Sequence, residues 1–201
     1  MKEIYFITAT NTNIGKTMAC EVFLNTFAKE NKKVGYFKPI ETGVIAIPLD
    51  GSKLFKLAKK LNPAFKVTID DVVPFQYKLP ASPFVASGGM EISIQIIKEK
   101  MAYLLNFCDV LIIEGAGGLM VPINKNFFMI DLIKELDPVN TFLIVPSNLG
   151  SINDTLLSLN ALIQYDIKHE WYINLYKDKE SFETTTLPFY KAYFDKLRFL
   201  N

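Results

Sequence analysis

Residues 9–17 read Ala-Thr-Asn-Thr-Asn-Ile-Gly-Lys-Thr, a polar stretch that closes on Gly15-Lys16-Thr17. Placed where a helix begins, those three residues suit a phosphate. Free backbone N–H groups there carry partial positive charge, a lysine adds a mobile cation for the outer phosphates, and a threonine hydroxyl can ligate Mg²⁺. The strict pattern G-x-x-x-x-G-K-[ST] is not met, because Thr10 stands where its first glycine belongs. A second cluster, Glu114-Gly115-Ala116-Gly117-Gly118, offers a carboxylate followed by residues whose backbone can approach a ligand closely. Lys38, in Lys38-Pro39-Ile40-Glu41-Thr42-Gly43, is a further cation at a Pro-fixed turn. Asp50 is open to two readings, a metal ligand or a turn and helix-capping residue.

Each of these groups needs an element to deliver it. Ile4-Tyr5-Phe6-Ile7-Thr8 has the β-branched and aromatic content of a buried strand, and residues 18–29 have helical spacing at Ala19, Val22, Phe23 and Phe27. Val34-Gly35-Tyr36-Phe37 reads as a second strand ending at Lys38, and residues 108–113 as a buried strand ending at Glu114. A parallel α/β sheet collects ligands at the carboxyl ends of its strands, so both groups fall where a ligand would sit. The spacing predicts helices over residues 53–61, 92–107, 131–136 and about 149–165, and strands over 141–146 and 171–174. Ser151 and Asn153 suit a helix N-cap. Residues 69–90, punctuated by Pro74, Pro80 and Pro83, read as an ordered loop region in which Ser82, Ser87, Gly88 and Gly89 could line a pocket. Beyond Leu175 the sequence is mixed in charge, with a break at Pro188 and helical character from Phe189. The alternation predicts a single α/β domain over residues 1–201, built on a doubly wound, mostly parallel sheet of the P-loop NTPase-like three-layer kind.

The totals narrow the function. A chain of 201 residues, half of them hydrophobic, can bury one substantial core. A net charge of +1 with dispersed lysines gives no electrostatic footprint for nucleic acid. No apolar run approaches a membrane span and the start lacks a secretory pattern, so a cytoplasmic protein without membrane partners is expected. Cys20 and Cys108 read as buried thiols.

Taken together the motifs resemble the dethiobiotin synthetase family. Its first loop reads roughly G-T-D-T-x-V-G-K-T, where this chain has ATNTNIGKT; its K-P-x-x-[ST]-G stands as KPIETG, its E-G-A-G-G as EGAGG followed by Val121-Pro122, and its L-G-x-I-N as LGSINDT from Leu149. PFQYKLPASPFVAS from Pro74 is similar to the family's Pro-Tyr…Pro-x-Ser-Pro segment, and the likeness runs over about residues 4–174. Ala9 replaces the family's first loop glycine, Asn11 its acidic residue, and Leu175 the Asp of a late Asn-Asp pair that reads adenine.

The resemblance implies ATP-dependent closure of a cyclic urea from 7,8-diaminononanoate and CO₂, giving dethiobiotin, ADP and phosphate. It implies Mg²⁺ on Thr17, Asp50 and Glu114. The nucleotide would meet Asn13, Ile14, Gly15, Lys16, Thr17 and Met18, with Asp50, Glu114, Gly115, Ala116 and Gly117 nearby and Asn174 as candidate for the base. Lys38 and Lys16 would be catalytic, Lys38 on the carbamate, with Thr12 and Thr42 holding the substrate. Gly150 and Asn153 would reach the substrate of a neighbouring subunit, which implies a homodimer with shared sites. The competing reading is a P-loop regulatory or partitioning ATPase. Such proteins often carry an additional lysine near the loop's start, and none occurs between Ile4 and Ile14.

Overall fold

The computed structural model describes residues 2–176 and 179–200. The chain runs β1 (Glu3–Ala9), α1 (Lys16–Lys29), β2 (Val34–Phe37), β3 (Ile40–Thr42), α2 (Leu49–Leu61), α3 (Ile69–Val72), β4 (Phe75–Tyr77), α4 (Pro83–Ala86) and α5 (Ile94–Leu104). It continues through β5 (Val110–Gly118), β6 (Pro122–Asn124), β7 (Phe127–Phe128), α6 (Met129–Leu136), β8 (Asn140–Pro146), α7 (Ser151–Gln164), β9 (His169–Asn174), α8 (Lys179–Thr185) and α9 (Leu187–Tyr193). Five strands form the central sheet in the order β2-β5-β1-β8-β9, all pairs parallel. Val110–Ile113 are buried without alternation, as a strand covered on both faces requires. From β1 the chain passes to one side of the sheet as far as β5, and β8 and β9 lie on the other side. The turn after β1 therefore opens at a switch point of the winding, where α/β sheets hold ligands.

The structure departs from the sequence expectation where an element's cause lies outside it. Residues 69–90 are not loop throughout: Thr68 and Asp71 close a capping box on α3, β4 pairs in parallel with β3, and Pro83 opens α4, with loop between and after them. These pieces of three or four residues are too short to show a period. Asp50-Gly51 is not a turn but the first turn of α2, because the Glu41 carboxylate accepts the N–H groups of Asp50 (3.2 Å) and Gly51 (2.9 Å) from nine and ten residues upstream. The 92–107 helix divides into α5, capped by Ser93, and a 3₁₀ turn over Leu105–Phe107. Ser151 and Asn153 do not cap α7; Gly150 occupies that position at φ 91°.

The strand ending at Glu114 instead runs on as β5 to Gly118. Its glycines let it continue against the neighbouring loop: a Cβ on Gly118 would stand 2.8 Å from the Thr10 carbonyl oxygen.

In the tail, α8 was not expected, and the helix predicted from Phe189 onward ends at Tyr193. Residues after it return to the sheet edge, where the Ile173 N–H donates to Arg198 O (2.8 Å) and the Leu200 N–H to Ile173 O (2.9 Å). Trp171 packs there against Tyr190 and Phe194. The part of the tail reading that falls on residues 177–178 and 201 lies outside the described residues. Cys20 and Cys108 are buried free thiols. No helix among the described residues is long and apolar enough to cross a membrane.

Candidate functional site

The register of β2 on β5 sets the centre of the site. Tyr36 lies opposite Ile112 and Phe37 opposite Ile113, so Lys38 and Glu114 emerge one step on, with the side chain of Tyr36 on the same face. Glu114 Oε1 accepts from Lys38 Nζ at 2.6 Å and from Thr17 Oγ1 at 3.0 Å, and Oε2 accepts from the Tyr36 hydroxyl at 2.8 Å. The Lys38 and Glu114 side chains are only 6% and 1% exposed. Burial pushes the Glu114 carboxyl up, but the Lys38 charge and the donors from Lys38, Tyr36 and Thr17 hold it below the usual carboxylate range. Burial likewise works against the Lys38 ammonium, and Glu114, with Asp50 and Glu41 beyond it, overrules that and raises its pKa. Burial and then the nearby carboxylate push the Tyr36 phenol well up, so it stays a donor. A buried ion pair is costly unless its remaining hydrogen-bonding positions are filled, and on the carboxylate side Thr17 and Tyr36 supply further donors.

The phosphate-loop residues stand beside this network. Thr17 and Lys16 are the first residues of α1, and Lys16 Nζ donates back to the Asn11 carbonyl at 3.0 Å. Burial, reinforced by repulsion from Lys38, lowers the Lys16 pKa to about 8 against the opposite pull of Glu114 and Asp50. An anion at the loop would reverse that shift. Ala9, where the family has glycine, is wholly buried in β1. Asn11, where the family has an acid, turns its side chain onto the Thr12 N–H.

A cleft of about 780 Å³ joins these groups. It is lined by Thr12, Asn13, Gly15, Lys16 and Thr17 from the loop, by Lys38, Glu41, Thr42 and Asp50, by Pro80–Pro83, and by Glu114, Gly115, Ala116, Gly117 and Val121. Thirteen of these were expected: the five loop residues, Lys38, Thr42, Asp50, Ser82 and the four from Glu114 to Gly117. Ile14, Met18, Gly150, Asn153 and Asn174 do not line it, and neither do Ser87, Gly88 and Gly89 of the loop region. Asn174 is 2% exposed and gives its amide to the Ile14 carbonyl at 2.8 Å. Gly150 has nothing within 4 Å of where a Cβ would be.

Sequence reasoning missed Tyr36 and Glu41. Tyr36 was legible as the residue two before Lys38 on one strand face. Glu41 lies inside the KPIETG motif, but its role as the acceptor for α2 depends on contacts that spacing does not reveal.

Among the described residues no three His, Cys, Asp or Glu side chains form a metal site by themselves. The donors on the cleft wall are instead hard oxygens, Thr17, Asp50 and Glu114. That set fits Mg²⁺, which takes one or two carboxylates and completes its shell with phosphate oxygens and water.

Comparison with known proteins gives the family and the fold. A family profile described as an AAA domain matches residues 3–171. The chain is 48% identical over 190 residues to a protein of Sulfurovum sp. named ATP-dependent dethiobiotin synthetase BioD, covering 94% of this chain and 90% of that one. A protein of the same name from Wolinella succinogenes is 35% identical over 189 residues, covering 92% and 87%. Among solved structures, a plasmid partition protein from Borrelia burgdorferi superposes with a TM-score of 0.58 at 14% identity over 98% of this chain and 87% of that one. The MinD cell division protein of Aquifex aeolicus gives 0.52 at 16% identity over 94% and 77%. Likeness at that level of identity shows a shared fold and nothing more.

Proposed function

The chain belongs to the ATP-dependent dethiobiotin synthetase family and is a ligase of biotin synthesis; from that premise we propose that its cleft joins CO₂ to 7,8-diaminononanoate at the expense of ATP. The observation that carries the residue assignment is the convergence of Lys16, Thr17, Lys38 and Glu114 on one cleft.

The chemistry explains the residue types. One amine of the diamine takes up CO₂ as a carbamate, whose oxygen must attack the γ-phosphorus while ADP leaves. Two anions approaching each other repel unless cations lie between them. Lys16 and the loop amides hold the phosphates, and Lys38 reaches the same cleft from the end of β2 to hold the carbamate. Fixed charges aimed at developing negative charge are usually the largest single contribution to catalysis. The second amine then attacks the carbonyl carbon, phosphate departs and the ring closes. Both groups belong to one molecule, so that step is intramolecular and the cleft has only to hold a conformation in which they meet. Magnesium, when bound by Thr17, Asp50 and Glu114, supplies further neutralisation of the phosphate charge. Thr12 and Thr42, on the same wall, hold the diamine. No protein nucleophile is required.

We further propose a cytoplasmic homodimer in which Gly150 and Asn153 meet the partner's substrate. Both lie outside this chain's own cleft and beside the exposed Leu149 and Leu157.

Incubation with the diamine, bicarbonate and Mg-ATP, followed by mass analysis, is expected to give dethiobiotin and one ADP per ring. ATP hydrolysis indifferent to the diamine would sink the proposal.

A further inference from the structure

The loop that follows β1 is held by two side chains at and just beyond the end of β9. Tyr176 donates its hydroxyl to the Asn13 carbonyl at 2.9 Å, and Asn174 donates its amide to the Ile14 carbonyl at 2.8 Å. Two consecutive loop carbonyls are thus drawn to the carboxyl end of β9. In a trans peptide the N–H of the next residue points opposite to the carbonyl, so the same two bonds turn the N–H groups of Ile14 and Gly15 away from β9. Asn13, Gly15 and Lys16 line the cleft, whereas no described residue of β9 does.

The backbone shows what these bonds hold in place. Asn13 sits at φ 60° and Gly15 at φ 104°, both in the left-handed region, which asparagine and glycine enter more readily than other residues. At Gly15 a Cβ would stand 2.2 Å from Asn174 Nδ2, so glycine is required as much by the approach of Asn174 as by the dihedral.

We infer that Asn174 and Tyr176 are positioning residues that preset the loop amides for phosphate, acting on the triphosphate through the backbone and not on the base. The inference rests on the phosphate-loop reading of the cleft and adds to it the device that organises the loop before ligand arrives. Preorganised donors bind more tightly because no ordering remains to be done at the moment of binding.

The test measures binding by calorimetry without diamine, using Mg-ATP, Mg-GTP and base-free magnesium tripolyphosphate on the wild type, Tyr176→Phe and Asn174→Ala. Tyr176→Phe keeps the ring and removes only the hydroxyl of a side chain that is 43% exposed, so its melting temperature should not move. Its affinity should fall about fivefold, the loss of one hydrogen bond, by the same factor for all three ligands, while kcat at saturating ATP changes less. Asn174→Ala should show the same uniform pattern with a larger factor. Unchanged affinity in Tyr176→Phe would overturn the inference. So would a loss confined to ATP, which would mean a contact with the base. Turnover that ignores the diamine would count against the proposed reaction and leave these binding results intact, so the two failures can be told apart.

Discussion

The two sides of the sheet switch point are built to different degrees of completion. On the β2-β5-β1 side, Lys38, Glu114, Thr17 and Tyr36 form a buried network in which Glu114 accepts from all three of the others. On the β8 side, the turn into α7 presents Leu149 at 77% exposure, Gly150 with open space around it, and an exposed Asn153. The first region is finished within one chain, and the second is left for something to dock on. A cluster of charges that is buried must be paired and hydrogen-bonded to offset its lost hydration, so its geometry must be set by strand register within the fold. A surface that receives a substrate or a second subunit carries no such requirement, and an unpartnered apolar residue there costs the isolated chain little.

Substitutions in the completed region should give the largest effects. Lys38→Ala is expected to lower kcat/KM for ring closure by about 10³-fold, on the scale of removing one preorganised charge donor, while the Kd for Mg-ATP changes little. Calorimetry beside steady-state kinetics checks this, and equal loss in both would place Lys38 in the nucleotide site. Glu114→Ala should lower stability by about 3 kcal/mol, because it leaves the Lys38 ammonium buried and unpaired. Denaturant unfolding of Glu114→Ala and of Glu114→Ala with Lys38→Met tests the cause: the second change should restore most of the loss.

This division also explains what was legible in the sequence. Residues at the ends of apolar runs could be read, because such a run places the polar residue that follows it; Lys38 and Glu114 were found that way, and the register then brought them together. Element identity survived wherever a helix or strand was long enough to show its period, as in α1, β5 and β8. It failed where a distant residue makes the element. Glu41 starts α2 from outside it, and β3 organises β4 within a stretch that read as loop. Asn174 was picked out by likeness to a base-reading motif, whereas its bond to Ile14 spans 160 residues and no local pattern could announce it.

The open region should respond more mildly, and in a way that reveals whether two chains share a site. Asn153→Ala is expected to raise KM for the diamine about tenfold, with no change in melting temperature or nucleotide affinity, since an exposed side chain contributes little to folding. Mixing Asn153→Ala with Lys38→Ala should give more activity than the sum of the two, because each mixed dimer would hold one intact site. Strict additivity would place both residues in a single-chain site. Between the regions stands Lys16, whose pKa of about 8 makes nucleotide binding pH-dependent. A bound triphosphate favours the protonated lysine, so its full contribution is present below pH 8 and is lost as the free enzyme deprotonates above it. Affinity for Mg-ATP should fall about fourfold from pH 7 to pH 8.5, and Lys16→Arg, which keeps its charge, should flatten that profile.

The smallest effect expected is discrimination among nucleoside triphosphates. On the β9 side of the loop the Asn174 amide nitrogen is engaged by Ile14 and the Tyr176 hydroxyl by Asn13, and Leu175 between them offers only an apolar side chain. Among the described residues of the tail, Tyr190 and Phe194 pack against Trp171, and Arg198 and Leu200 bond to Ile173 at the sheet edge. Rejecting a wrong base requires a hydrogen-bonding site that the wrong base leaves unsatisfied, and a site without one separates analogues weakly. Side-by-side kcat/KM values for ATP, GTP and CTP should therefore differ by less than about fivefold, or about 1 kcal/mol. A preference for ATP of a hundredfold would require a base-reading group that is formed only when nucleotide is bound.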